Sequence, residues 1–320
     1  MTADAVLFDG ATKRYGRVTA LNALSLSIPR GTMFGLIGPD GAGKTTAMRL
    51  ACGLLRPDGG TVRVLGHDPV ADRRAVTRVI GYLSQRFSLY GDLTIDENIA
   101  FHAEVHGMRR YEPARDRLLE MTQLTAFRTR RADRLSGGMK QKLALACTLV
   151  HQPDLLMLDE PTTGVDPVSR GEFWKLLSEF LTQGLTIVMT TPYLDEAERC
   201  ARVGLLHEGR LLAAGTPARL QEQLPGQLWE VIADTPRPPL EVLTAVRGVA
   251  DVQVFGDRLH VRLDQENPSA AARAIEQTLR QHAVPIVSVR RIPPSLEDVF
   301  IEFVTRAGTE PGAANSRSGG

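Results

Sequence analysis

A glycine-rich segment, GPDGAGKTT at residues 38–46, stands between a short apolar run and a segment of helical character. It fits the pattern G-x-x-x-x-G-K-[ST], in which backbone N–H groups of the turn surround phosphate oxygens and the next helix N-terminus favours an anion. A turn that only caps a helix would explain the glycines, but it would not require Lys44 and Thr45. The segment therefore restricts the chain to folds in which a strand leads through a phosphate-binding turn into a helix.

We expect the Lys44 ammonium to neutralise charge on the β- and γ-phosphates of a nucleotide, and the Thr45 hydroxyl to bind Mg²⁺. The predicted phosphate-binding residues are the successive positions of this turn: Gly38, Pro39, Asp40, Gly41, Ala42, Gly43, Lys44, Thr45 and Thr46.

An apolar run that ends in two carboxylates, DLLMLDEP at residues 154–161, supplies complementary chemistry. Asp159 is placed to bind Mg²⁺ through water, and Glu160 is placed to orient and polarise an attacking water. Many buried strands end in acidic residues, so this pattern is specific only together with the phosphate loop. The pair predicts hydrolysis as well as nucleotide binding.

Short apolar runs alternate with amphipathic stretches over the first two-thirds of the chain. This alternation predicts an α/β fold with a mainly parallel sheet. The stretch from about residue 87 to residue 150 has helical periodicity and is predicted to be a helical insertion, whereas residues 203–215 are predicted to form a hairpin. The predicted buried strands are residues 32–38, 79–84, 155–159 and 186–191.

The composition changes at QLPGQ, residues 223–227, and this change predicts a domain boundary. We expect a first domain at 1–226, a second at 227–306 and a disordered tail at 307–320. The order of elements in the second domain, β-α-β-β-α-β, is typical of a small ferredoxin-like domain. Its last helix follows a predicted cap, Ser295, and carries one apolar face. That face would pack either on its own domain or on a second copy.

The charge balance argues against one class of partner. Lys and Arg total 38 against 37 Asp and Glu, a net charge of +1. Because nucleic-acid binders usually show a basic excess, we expect no nucleic-acid partner. Cys52, Cys147 and Cys200 lack metal-ligand spacing, which predicts reduced, buried thiols. No segment approaches the roughly 18 apolar residues that span a bilayer, so any membrane role is expected to come through a partner.

A third motif, LSGGMKQK, occupies residues 135–142. Ser136 is a predicted helix cap, and the first N–H groups of that helix, with Gly137 and Gly138, would form a second anion site. A plain capped helix is the alternative interpretation. Because two glycines in a first turn cost helix stability, we expect close approach of the backbone to a phosphate to compensate.

In this order, the phosphate loop, LSGGMKQK and LLMLDEPTTGVDP resemble the nucleotide-binding subunit of ATP-binding-cassette (ABC) transporters, over residues 5 to about 225. The resemblance implies a P-loop fold with an N-terminal antiparallel β subdomain and a helical signature subdomain. It also implies ATP and Mg²⁺ as ligands. It assigns adenine stacking to Tyr15, contact with Mg²⁺ and communication with the membrane subunit to Gln85, and a bridge between dimer halves to Asp166.

The same resemblance implies an assembly. Ser136, Gly137 and Gly138 would meet ATP bound to the opposite subunit, in a homodimer or heterodimer of ATPase subunits. A separate integral-membrane permease would hold the ATPase at the cytoplasmic face of the membrane. Residues 93–108, 190–200 and 294–304 resemble ATPases of the daunorubicin-resistance type, whose cargo is commonly a drug, a lipid-like molecule or a polysaccharide.

Proline stands at residue 192, where the family carries a histidine that hydrogen-bonds the γ-phosphate. Proline has neither a side-chain donor nor an N–H, although it is well tolerated at a helix entry. Losing one such donor costs about 10²–10³ in rate. Three interpretations stay open: slow hydrolysis supported by Glu160, pairing with a different ATPase that supplies an intact site, or donation by Thr191 or Tyr193.

The leading hypothesis for function is the energy-coupling ATPase of an exporter. One alternative is a cassette ATPase that acts on ribosomes or DNA without a permease. Ribosome-acting members usually carry two cassettes and DNA-acting members carry long coiled coils, and this sequence has neither pattern. Another alternative is a nucleotide switch that binds ATP and barely hydrolyses it. We expect the second domain to regulate or reinforce dimerisation.

Overall fold

The computed structural model describes residues 4–85, 89–235, 240–263 and 268–309, with side chains up to residue 307. The chain divides into two compact units, Met1–Pro217 and Ala218–Gly320. Each unit has a hydrophobic core of its own.

The strands of the first unit follow the apolar runs of the sequence. In chain order they are β1 (Asp4–Tyr15), β2 (Val18–Pro29), β3 (Met33–Ile37), β4 (Gly59–Val64), β5 (Ile80–Leu83), β6 (Leu155–Asp159), β7 (Thr186–Thr191), β8 (Arg202–His207) and β9 (Arg210–Gly215).

A six-stranded sheet in the order β5-β6-β7-β3-β8-β9 forms the centre of this unit. Its strands are parallel except for the last pair, β8 and β9, which form the predicted hairpin. Every residue of β3, β6 and β7 is buried. Part of this burial comes from residues of β1, β2 and β4, which share one hydrophobic core with the central strands. A second, antiparallel sheet has the order β2-β1-β4. The predicted fold class is therefore confirmed.

The helices of the first unit are α1 (Lys44–Ala51), α2 (Arg73–Val79), α3 (Ile95–Val105), α4 (Glu112–Met121), α5 (Gly137–Leu149), α6 (Pro167–Thr182) and α7 (Leu194–Ala197). Helix α1 follows the phosphate loop and α5 follows Ser136, as the motifs predict. The short helix α8 (Pro217–Gln221) begins at the last residue of this unit.

The predicted helical insertion contains α3, α4 and α5, with two short 3₁₀ turns between the last two helices. Within the described residues 89–150 the structure has no strand, and only an isolated bridge joins Thr94 and Arg131. Helix α3 starts with a reciprocal pair of hydrogen bonds between Thr94 and Glu97, which satisfies two backbone donors of the first turn.

The second unit consists of β10 (Gln227–Ala233), α9 (Leu240–Thr244), β11 (Val249–Phe255), β12 (Arg258–Leu263), α10 (Pro268–Gln281), β13 (Ile286–Ile292) and α11 (Leu296–Thr309). The antiparallel sheet has the order β11-β12-β10-β13, and its core packs against α9 and α10. This is the predicted ferredoxin-like order of elements.

The last helix, α11, packs on its own unit. Ser295 caps it as predicted, since the Asp298 N–H donates to the Ser295 hydroxyl at 3.3 Å. The Asp298 carboxylate lies 2.7 Å from the imidazole of His260 on β12. This contact favours the intramolecular alternative for the helix. The helix extends to Thr309, so residues 307–309 of the expected disordered tail are helical. The rest of that predicted tail, residues 310–320, lies outside the described part of the chain.

The three cysteines were predicted to be buried, reduced thiols. Cys52, Cys147 and Cys200 are all free and buried, and burial raises the pKa of each thiol.

Among the residues that the structure describes, no helix combines the length and the apolarity that crossing a bilayer requires.

Candidate functional site

The strand order brings three loops to one edge of the central sheet. Strand β7 lies between β3 and β6, with Thr191 opposite Ile37 and Thr190 opposite Asp159. The phosphate loop follows β3, the two carboxylates lie at the end of β6, and Pro192 follows β7. Because parallel strands end at the same edge, residues that are more than 100 positions apart in sequence meet there.

Two glycines of the phosphate loop stand where a side chain would collide with backbone. A Cβ on Gly38 would overlap the carbonyl oxygen of Leu206, and a Cβ on Gly43 would overlap that of Ala20. Gly43 also has a φ angle of +103°, which L-residues with side chains rarely adopt. The glycines are therefore required by the close packing of the loop as well as by its shape.

The Lys44 ammonium is held inside the loop. Its side chain is 4% exposed, and Nζ donates to the carbonyl oxygens of Gly38 at 2.8 Å and Pro39 at 3.1 Å. Nζ also lies 3.2 Å from the Glu160 carboxylate. The structure thus fixes a positive charge in the middle of the turn.

The loop opens onto a cleft of about 550 Å³. The residues that line it come from the loop itself and from the neighbouring strand ends: Ala20, Asp40, Gly41, Ala42, Gly43, Lys44, Thr45, Thr46, Gln85, Glu160, Thr163, Pro192 and Tyr193.

Asp159 is 1% exposed and is held by hydroxyl groups. Its carboxylate accepts hydrogen bonds from Thr45 Oγ1 at 3.0 Å and Thr190 Oγ1 at 2.7 Å, and the Tyr82 hydroxyl lies 3.4 Å away. Burial and the Asp159 charge together raise the pKa of Tyr82. Among the described residues no basic side chain forms an ion pair with Asp159, so a buried negative charge lacks a cation.

These residues fit Mg²⁺. In phosphate-binding sites Mg²⁺ is held by one or two carboxylates together with the phosphates of the nucleotide, and Asp159 with Thr45 supplies the protein part of such a set. The described residues contain no group of three or more His, Cys, Asp or Glu side chains arranged for a metal. The arrangement therefore suits a cation that arrives with a nucleotide, and it does not suit a metal bound by protein alone.

Glu160 has a strained backbone. Its φ angle is +51°, and its N–H donates to both the carbonyl and the hydroxyl oxygen of Thr190, at 3.2 and 3.0 Å. A non-glycine residue in this conformation costs of the order of 1–3 kcal/mol, which the surrounding structure must compensate. The Gln85 amide donates to the Glu160 carboxylate at 2.8 Å, so two predicted site residues are in direct contact.

Other predicted site residues lie outside the cleft lining. Tyr15 is 45% exposed at the end of β1, with the Lys13 ammonium 6.0 Å from its ring centroid. Ser136 and Gly137 are exposed at the start of α5, where the Met139 N–H donates to the Ser136 hydroxyl at 3.3 Å. The residues of this unit alone do not bring the signature motif to the phosphate loop.

Gly138 has a packing reason that the sequence did not reveal. A Cβ at this position would overlap the hydroxyl of Ser169 on α6, whereas a Cβ on Gly137 would meet open space. Contact between α5 and α6 is therefore one reason for a glycine at this position. Approach of the Gly137 and Gly138 backbone to a phosphate stays a prediction.

Asp166 caps α6. Its carboxylate accepts hydrogen bonds from the Ser169 N–H at 3.0 Å and the Val168 N–H at 3.1 Å. Hydrogen bonds from Ser169 and Val168 hold the pKa of this carboxyl below its usual range. Bridging of dimer halves by Asp166 stays a prediction.

Sequence reasoning missed Thr190 and Tyr82. Thr190 holds both the Asp159 carboxylate and the Glu160 N–H, and Tyr82 lies on the neighbouring strand β5. The only sequence signal was the end of two predicted strands, which is too common to select them.

Comparison with known proteins agrees with this geometry. Residues 21–163 match the family model "ABC transporter", and residues 215–304 match "ATP-binding protein DrrA1-3-like, C-terminal domain". The daunorubicin resistance ATP-binding protein DrrA3 of Streptomyces coeruleorubidus is 36% identical over 95% of this chain and 96% of its own length. The chain belongs to the ATP-binding proteins of ABC transporters.

Two further ABC proteins show how much of this chain is similar to known proteins. The probable multidrug ABC transporter ATP-binding protein YbhF of Escherichia coli is 39% identical over 96% of this chain, and the chain spans 53% of YbhF. A solved dimeric structure of a bacterial ABC transporter cassette is 26% identical, with a TM-score of 0.60 over 66% of this chain and 98% of the cassette. ABC ATP-binding proteins bind ATP, generally with Mg²⁺, and hydrolyse it to power transport.

Proposed function

We propose that the chain is the ATP-binding and ATP-hydrolysing subunit that powers a separate membrane permease, which exports a drug-like or lipophilic compound. The observation that carries the proposal is the meeting of the phosphate loop with Asp159 and Glu160 at the ends of three neighbouring strands. The name of DrrA3 refers to daunorubicin resistance and that of YbhF to a multidrug transporter, which supports the class of cargo.

Different residues of the chain would carry out different parts of the reaction. Lys44 and the backbone N–H groups of the loop would bind the β- and γ-phosphates, and Tyr15 would stack on the adenine. Thr45, Asp159 and Gln85 would hold Mg²⁺, which supplies charge neutralisation at the terminal phosphate. These roles follow the family pattern and the donor sets described above.

Glu160 would orient the attacking water and accept its proton. The water oxygen forms a bond to the terminal phosphorus, the bond from that phosphorus to the bridging oxygen breaks, and the products are ADP and inorganic phosphate. The Glu160 carboxylate lies 3.2 Å from the Lys44 ammonium. A phosphate that replaces this contact leaves the carboxylate free for water.

The assembly belongs to the same proposal. A second ATPase subunit, identical or different, would contribute Ser136, Gly137, Gly138 and Asp166 to the nucleotide across the interface. The dimeric cassette structure supports this arrangement. The permease would place the subunit at the cytoplasmic face of the membrane, and the second unit would regulate or reinforce the dimer.

The test is ATP turnover by the purified chain together with the Glu160→Gln variant. We expect Mg²⁺-dependent phosphate release by the wild-type chain and a loss of at least about 10²-fold in the variant. Reconstitution with a candidate permease in vesicles should give ATP-dependent efflux of lipophilic dyes. Association with ribosomes or DNA and no stimulation by any permease would contradict the transport part of the proposal.

A further inference from the structure

The loop after β7 forms one wall of the cleft, and two of its residues, Pro192 and Tyr193, line it. Proline has no hydrogen-bond donor of any kind. Thr191, the residue before it, is fully buried and is not one of the residues that line the cleft. Its hydroxyl donates to Glu196 at 2.7 Å and accepts from the Tyr193 N–H at 3.0 Å. Thr191 is therefore already engaged, and it cannot serve a nucleotide.

Tyr193 is the remaining side chain of this wall that can donate. Its side chain is 38% exposed, and among the described residues no protein group makes a hydrogen bond with its hydroxyl. A phenol can donate one hydrogen bond while it stays neutral. The hydroxyl is thus available to a ligand in the cleft.

The ring of Tyr193 is restrained by Arg170. The Arg170 guanidinium lies 5.2 Å from the ring centroid, close enough for a cation–π contact. Arg170 in turn has its Nε 3.7 Å from the buried Glu196 carboxylate. These contacts restrain the ring and leave its hydroxyl free.

Glu196 connects this loop to the one that follows the catalytic carboxylate. It is 1% exposed and accepts hydrogen bonds from Thr162 Oγ1 at 2.6 Å and Thr191 Oγ1 at 2.7 Å. Thr162 is two residues beyond Glu160. A buried carboxylate with two hydroxyl donors and one arginine is therefore the common anchor of both loops.

We propose that the Tyr193 hydroxyl is the hydrogen-bond donor from this wall to the terminal phosphate of ATP, with Arg170 and Glu196 as positioning residues. The inference rests on the proposed ATP hydrolysis. Negative charge on the terminal phosphoryl oxygens must be stabilised in the transition state, and a fixed neutral donor does so without a protonation step. Tyr193 thus takes the place that Pro192 leaves without a donor.

The first test is Tyr193→Phe, which keeps the ring and its contact with Arg170 and removes only the hydroxyl. We expect kcat for ATP hydrolysis to fall about 10²-fold, while KM for ATP changes little. Tyr111→Phe is the matched control, because the Tyr111 ring also lies against an arginine, Arg115 at 5.8 Å, but Tyr111 is not one of the residues that line the cleft. This control should keep the wild-type rate.

The second test adds Pro192→His, which places an imidazole donor beside residue 193. In the Tyr193→Phe background we expect Pro192→His to raise kcat at least about tenfold. This gain should be several times larger than the effect of Pro192→His in the wild-type background, since the donor is already present there. A purely structural role of Tyr193 would not give this non-additive recovery. Glu196→Gln should lower kcat and leave KM for ATP nearly unchanged.

The outcomes separate this inference from the proposed function. If Tyr193→Phe hydrolyses ATP at the wild-type rate while Glu160→Gln is inactive, the role of Tyr193 is wrong and the ATPase stands. If Tyr193→Phe is slow but Pro192→His does not restore it, donation by the hydroxyl is likewise overturned. If the wild-type chain releases no phosphate from ATP, the proposed function fails, and the inference fails with it.

Discussion

Two acidic side chains, one in each unit, are almost fully buried, and the structure surrounds them differently. Glu230 of the second unit is 3% exposed. Its carboxylate accepts from Arg290 Nε at 2.8 Å and from Arg258 at 3.0 Å. Burial raises the pKa of Glu230, but the hydrogen bonds from both arginines outweigh it and hold the pKa below its usual value.

Asp159 of the first unit accepts hydrogen bonds from the hydroxyl groups of Thr45, Thr190 and Tyr82, and no described basic residue pairs with it. A carboxylate whose charge is neutralised within the chain, as in Glu230, holds strands together. A buried carboxylate without a cation costs free energy in the empty protein and gains it when a cation binds. Glu230 is therefore an acid that stabilises the fold, whereas the surroundings of Asp159 suit an acid that binds a cation.

The largest expected effect comes from Asp159→Asn. We expect ATP hydrolysis to fall at least about 10²–10³-fold, while the free energy of unfolding stays equal or rises, because the change removes an uncompensated buried charge. Phosphate release and urea unfolding measure the two quantities. Asp154→Asn, at the exposed other end of the β6 strand, is the control. If Asp159→Asn lost unfolding free energy in proportion to its loss of activity, Asp159 would be a structural acid like Glu230, and the contrast between the two would be wrong.

Thr190→Val should have the next largest effect. The change removes the hydroxyl that holds both the Asp159 carboxylate and the Glu160 N–H. We expect a loss of about 1–3 kcal/mol in transition-state stabilisation, which corresponds to a decrease in kcat of about 5- to 150-fold. Thr148→Val, where the hydroxyl donates only to a helix carbonyl, should keep its activity. Equal rates for both variants would show that Thr190 does not position the site.

Glu230→Gln should affect stability and not activity. We expect the second unit to lose about 1–3 kcal/mol of unfolding free energy, a modest value because both arginines are about half exposed and solvent screens the pairs. ATP hydrolysis should stay at the wild-type rate. The exposed Glu241→Gln in the same unit is the control, and a loss of activity in Glu230→Gln alone would remove the structural assignment.

The smallest expected effect is a pH dependence of the stability that Glu230 contributes through its two arginine partners. Because the pKa of Glu230 is lower in the folded chain than the ordinary value of 4.5, its contribution is fully present above pH 4.5. It is lost as the pH falls through the lower folded value. The difference in unfolding midpoint between wild type and Glu230→Gln should therefore shrink between pH 5 and pH 3. A constant difference over that range would contradict the sign.

Local sequence accounts for much of the site. The phosphate loop is readable because one short backbone turn both binds phosphate and starts a helix, so Gly43, Lys44 and Thr45 are contiguous. The β6 strand was predictable from an unbroken apolar run. The second unit was predictable as an order of elements, although the end of its last helix, Thr309, lies beyond the predicted residue 306.

The sequence by itself determined the fold class, the chemistry of the phosphate loop and the acidic pair, because these depend on residues adjacent in the chain. Only the tertiary structure decided what Gly138, Thr190 and Tyr193 contact. Gly138 is set by Ser169 on another helix, and Thr190 holds an aspartate 31 residues away. Tyr193 is restrained by Arg170 and left with a free hydroxyl. These contacts join residues that are distant in sequence and become neighbours only in the folded chain, so no local sequence pattern reveals them.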